Sequence, residues 1–88
     1  MTKKERPVIL YPAVSEKVMT LMEQENKLVF VVDRASTKTQ IKRAVEKEFE
    51  VKVAHVKTEI TTKGEKHAIV RFAPEYSAEE IGMRLGIF

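Results

Sequence analysis

The sequence predicts a small α+β domain: a four-stranded, mainly antiparallel sheet packed by helices. Three observations carry that expectation. Leu28 to Val32 is an unbroken apolar run, short and β-branched, as in a strand covered on both faces. Thr37-Lys38-Thr39-Gln40 and Ser77-Ala78-Glu79-Glu80 are capping-box patterns, each opening a stretch with apolar residues at helical spacing. Two β-rich stretches, Val51 to Thr61 and Lys66 to Ala73, flank Lys63-Gly64 and read as a hairpin.

The elements follow in order. Val8, Ile9 and Leu10 make a short first strand, closed by Tyr11-Pro12, because proline disfavours helix at the residue before it. Ser15 caps a helix beginning at Glu16. Val14, Val18, Leu21 and Met22 fall on one face of it, with Val14 and Met19 at staple positions. Lys27 to Asp33 is the second strand. Ile41, Ala44, Val45 and Phe49 then recur at helical spacing behind the Thr37 cap. Along Val51 to Thr61 the alternation slips. Val51 and Val53 point one way, Ala54, Val56, Thr58 and Ile60 the other. Either both faces are covered near its start or a bulge shifts the phase. In the last strand Ala68, Val70 and Phe72 share one face, His67, Ile69 and Arg71 the other. Pro74 ends it, Ser77 caps a third helix with Tyr76 and Ile81 as its staple, and Gly86 terminates that helix with Ile87 folding back. The order β-α-β-α-β-β-α, with a split βαβ core, predicts strand order first, second, fourth, third.

Eighty-eight residues suggest one domain, 1–88, burying about 60–65% of its extended surface. That leaves no room for a large enclosed cleft. The chain has no cysteine, which excludes disulfides and thiolate metal sites. The longest apolar run is far too short to span a bilayer, and the first residues lead into no signal-peptide region. A soluble cytoplasmic protein, without membrane attachment and monomeric when free, is the expectation. His55 and His67 lack ligand spacing, the three glycines form no phosphate or dinucleotide loop, and the serines read as caps or turns. The expectation is therefore no enzyme and no cofactor.

Charge is unevenly spread. Arg34 to Lys47 holds five basic residues (Arg34, Lys38, Lys42, Arg43, Lys47) against Glu46. Residues 1–6 carry Lys3, Lys4 and Arg6 against Glu5 and form a basic arm. The hairpin carries Lys57, Lys63, Lys66 and Arg71 against Glu59 and Glu65. Glu16 to Glu25 and Glu75 to Phe88 are each −2 in side-chain charge. Two faces emerge, one basic and one mildly acidic. Lys38 stands in a helix's first turn, where the macrodipole favours acids, so stability alone does not explain it. A phosphate at that helix start would meet Lys38 and free N–H groups together. The plain alternative is a solvated face with pairs such as Lys42–Glu46. Charge alone leaves both open, and with them a stand-alone protein-interaction module. A small enzyme of ferredoxin-like shape is a third alternative, without a catalytic constellation to support it. The sheet aromatics, Phe30 and Phe72, sit on apolar faces and belong to the core. RNA recognition would then rest on phosphate, ribose and shape, not on stacked bases.

Several segments together resemble one family. Tyr11-Pro12-Ala13-Val14-Ser15-Glu16-Lys17 looks like the N-terminal signature of the universal large-subunit ribosomal protein L twenty-three family. Asn26 to Val32, Thr37-Lys38 with Ile41-Lys42 and Ala44-Val45-Glu46, Phe49 to Val53, Val56-Lys57-Thr58 and Lys63 to Val70 are similar to its middle and end. The resemblance implies a structural protein bound to large-subunit rRNA beside the nascent-chain exit. It also implies a docking surface near Ser15, Glu16 and Lys17 for exit-site factors such as the signal recognition particle, and a neighbour of the L twenty-nine family. Bacterial members carry a long tunnel-reaching hairpin; the short Thr62-Lys63-Gly64-Glu65 resembles archaeal members and implies no tunnel lining. Where the family often has two basic residues before the alanine of the last strand, the second here is His67. The expected rRNA-binding residues are Lys38, Lys42, Arg43, Lys63, Lys66 and Arg71, supported by Arg34, Lys3, Lys4 and Arg6.

Overall fold

A computed structural model of the chain describes residues 7–87; the basic arm expected over 1–6 lies outside them. Seven elements follow one another: β1 (Ile9–Pro12), α1 (Glu16–Glu25), β2 (Lys27–Val32), α2 (Lys38–Phe49), β3 (Val53–Ile60), β4 (Lys66–Phe72) and α3 (Ala78–Leu85). The strands form one sheet in the order β1-β2-β4-β3, the expected order. Every adjacent pair is antiparallel, so β4 lies between β2 and β3.

Each helix forms where its cap directs. Ser15 Oγ accepts the Val18 amide at 3.2 Å, and Asn26 in the left-handed region closes α1. Around α2 both halves of the capping box are made: Gln40 N–H donates to Thr37 Oγ1 and Thr37 N–H to Gln40 Oε1. At α3 only the first half exists, the Glu80 amide to Ser77 Oγ at 3.3 Å. Gly86 ends that helix at φ 75°, and Ile87 N–H returns to Gly82 O.

One face of the sheet meets all three helices. Leu28, Phe30, Val32, Val56, Ala68, Val70 and Phe72 pack there with Met22, Ile41, Val45, Phe49 and Ile81. Phe30 and Phe49 stack with centroids 5.9 Å apart. Both faces of β2 are buried, as its unbroken apolar run predicts. The slip in β3 is a register irregularity between Val53 and His55, which lets Val51, Val53 and Val56 all be buried. Val14 departs from expectation. It is 59% exposed and does not staple α1, because β1 carries the chain across the edge of β2 before the helix begins.

The hairpin turn depends on Gly64, whose φ of +85° is open to glycine at little cost. Its amide donates to Thr61 O, while Thr61 N–H donates to Glu65 O.

Candidate nucleic-acid interface

The antiparallel pairing of β2 with β4 sets Val32 opposite Lys66. The β2–α2 loop therefore leaves the sheet beside the hairpin. Its Ser36 is buried, and the Ser36 amide donates to Asp33 O at 2.9 Å. The Lys66 ammonium donates to the carbonyls of Ser36 and, at 3.4 Å, Arg34. The Arg34 guanidinium lies over the turn: a Cβ on Gly64 would stand 3.8 Å from Nη1. Arg34 from the loop, Lys63 from the turn and Lys38 at the start of α2 are thus gathered at one end of the sheet, all exposed.

Lys42 continues from Lys38 one turn on, and Arg43 shares a row with Lys47. These side chains are exposed as well. The pair Lys42–Glu46, which would have explained the helix as a solvated face, is not made. Glu46 instead accepts the Val53 amide at 3.0 Å, tying the end of α2 to the start of β3. Among the described residues the ion pairs are Lys27–Glu25, Lys57–Glu59 and His67–Glu65, none of which uses a cation of this cluster.

The acid beside the turn, Glu65, is turned the other way. Tyr11 Oη donates to Glu65 Oε2 at 2.8 Å, and His67 Nε2 stands 3.4 Å from Oε1. These two contacts, Tyr11 foremost, hold the Glu65 carboxyl below its ordinary pKa; the same bond to Glu65 raises that of Tyr11. Neighbouring Glu65 and Lys66 are thereby sorted to opposite sides of the sheet. Sequence reasoning did not find this latch. Its only signal was a tyrosine on an edge strand, 54 residues from its partner.

Arg71 stands apart. It lies five residues along β4 from Lys66, about 17 Å away, and on the opposite face, across from Lys27 and His55. Lys3, Lys4 and Arg6 precede the described residues.

Ser15, Glu16 and Lys17 occupy the exposed start of α1, away from the cationic end. A groove of about 360 Å³ opens beside them, floored by Val29 and Ile69 and walled by Val18 and Leu21, with Lys17 and Lys57 at its rim. Leu10, Tyr11 and Val14 are exposed nearby on the β1–α1 segment.

The family model described as ribosomal protein L23 matches residues 7–79. The chain is 49% identical over 81 residues to the large ribosomal subunit protein uL23 of Methanothermobacter thermautotrophicus, covering 92% of this chain and 94% of that one. The uL23 proteins of Methanococcus aeolicus and Methanococcus vannielii are 48% and 49% identical over the same shares. The short hairpin and the α+β sheet order thus sit in a chain that belongs to the ribosomal protein L23 family.

Proposed function

We propose that this chain is a structural, non-enzymatic component of the large ribosomal subunit, working on the cytoplasmic ribosome, and that it binds large-subunit rRNA through the cationic end of its sheet. Family membership supports the ribosomal role. The observation that carries the binding surface is the gathering of Arg34, Lys38 and Lys63 from three segments, with the acid beside the turn, Glu65, drawn to the far face. Lys42 and Arg43 extend it along α2, and Lys3, Lys4, Arg6 and Arg71 add contacts outside this cluster. Flexible cations on a rigid scaffold suit phosphate and ribose contacts, which position a protein without reading bases. Phe30 and Phe72 are buried and leave no aromatic platform of their own for base stacking.

The start of α1, with Ser15, Glu16 and Lys17 beside the apolar groove, serves as the docking side. There it helps form the site for exit-tunnel factors such as the signal recognition particle, next to a protein of the L29 family.

Two measurements test the reading. Sedimentation of cell extract should place the chain with large subunits; its absence from them leaves the stand-alone interaction module. Replacing Lys38 and Lys42 with Glu should weaken binding to large-subunit rRNA by roughly tenfold or more at ~0.15 M salt. The slope of log affinity against log salt should fall by about 0.7–0.9 for each phosphate no longer neutralised. An unchanged slope removes both lysines from the surface.

A further inference from the structure

The geometry points to Lys66 as a positioning residue: its ammonium, held by the carbonyls of Arg34 and Ser36, fixes the β2–α2 loop against the hairpin so that Arg34 projects over the Gly64 turn. This rests on the rRNA-binding reading for its consequence, not for its geometry.

A lysine that contacts phosphate needs donors to offer it. Lys66 gives two of its three to backbone oxygens before RNA arrives. It is half-buried, on the helix-facing side of β4 in phase with Ala68 and Val70, and directs its charge into backbone oxygens. Those carbonyls end the loop just ahead of α2: Ser36 immediately precedes the N-cap Thr37, and Lys38 follows it. Without the ammonium, the partial charges on the Arg34 and Ser36 oxygens lose their cation, and the loop loses its crosslink to the hairpin. Charge-assisted hydrogen bonds of this kind are about twice as strong as neutral ones. Lys66 thus acts on RNA through Arg34. It also places the loop's cation and the turn's cation, Lys63, on one rigid corner.

Lysine reactivity in the intact wild-type chain tests this without any substitution. With acetic anhydride, Lys66 should react about tenfold more slowly than Lys63 in the free protein, the effect of roughly one charge-assisted hydrogen bond that must first open. Addition of large-subunit rRNA should protect Lys38 and Lys63 and leave Lys66 unchanged. A Lys66 that reacts as fast as Lys63 when free, and is protected only by rRNA, overturns the proposal. If rRNA protects no lysine at all, the binding reading fails while the slow reaction of free Lys66 still upholds the crosslink.

A double-mutant cycle supplies the second measurement. Lys66→Met should weaken rRNA binding in the wild-type background but by less than about twofold once Arg34→Ala is present, since coupled residues are not additive. Full additivity, with a further drop in the salt slope in the double variant, would make Lys66 a phosphate ligand in its own right. In free Lys66→Met, the Ser36 amide should exchange faster than in wild type, while amides in the middle of β2 and β4 keep their protection. Unaltered Ser36 exchange in a folded variant counts against the crosslink.

Discussion

Asn26 concentrates more of the fold than its sequence context suggests. It adopts φ 57° to close α1, and its amide donates to Phe72 O at 3.2 Å and Tyr76 O at 2.9 Å. Its Oδ1 accepts the Ala78 amide at 2.8 Å, so one side chain joins the ends of α1 and β4 to the start of α3. Asparagine tolerates the left-handed region better than other side chains that carry a Cβ. Asn26→Ala should therefore destabilise the chain by about 2–3 kcal/mol, from three partly buried hydrogen bonds and backbone strain. The denaturant midpoint would report it, with an unchanged m-value. A destabilisation below about 0.5 kcal/mol would mean that water replaces these bonds without cost. In the sequence Asn26 stands out only as the start of a segment that resembles the family; its three partners lie 46 to 52 residues away.

At the scale of elements, the hairpin is held from both sides. Lys66 ties it to the β2–α2 loop, and Glu65 ties it to β1 through Tyr11. The Glu65 carboxyl is held below its ordinary value in the folded chain, first by Tyr11 and then by His67. A group with a depressed folded pKa contributes stability above its unfolded pKa and loses it as pH falls through the folded one. The latch should thus be intact at neutral pH and released in acid, below the ordinary carboxylate range. Comparing Glu65→Gln with wild type across pH should show the variant less stable at neutrality and the difference vanishing in acid. A difference that persists at the lowest pH would assign the effect to packing instead of ionisation. Glu65 is exposed enough for solvent to screen the contact, so the effect is small. The local pattern of helix caps and apolar spacing predicts each element because those signals act within one or two turns. The staple expected of Val14 failed for a non-local reason: the path of β1 over β2 takes the chain past the position where a staple would close.

At the largest scale, the described residues hold two separate candidate surfaces. The cationic end is built by α2, the β2–α2 loop and the hairpin; the start of α1 and its groove lie elsewhere. If the two sides serve different partners, they should separate by mutation. Lys17→Glu should leave rRNA affinity within about twofold and its salt slope unchanged, because the same phosphates stay neutralised. The same variant, on intact ribosomes, should weaken docking of exit-site factors. A fall in rRNA binding as large as that of Lys38→Glu would merge the two sides into one surface. Neither Glu16 nor Lys17 is spent on an ion pair with another described residue, so both charges remain available to a partner.

Local signals in the chain specify the elements, their order and the arrangement of the sheet. Alternation, caps and turn residues are short-range signals, and the crossover and pairing rules leave few ways to assemble them. The chain also concentrates its positive charge in α2 and the hairpin, since charge is written directly in residue identity. Which of those cations share a place depends on the long-range pairing of the strands. Sequence grouped Lys66 and Arg71 with Lys38 and Lys63 as equal contacts. Pairing β4 against β2 instead sent Arg71 to the far end and outer face, and turned the Lys66 ammonium onto the loop that carries Arg34. Strand register sets which face and which neighbour a side chain meets, and a spacing of five along one strand reverses the face. The positive charge follows from composition; which lysine meets solvent and which meets a backbone carbonyl follows only from the fold.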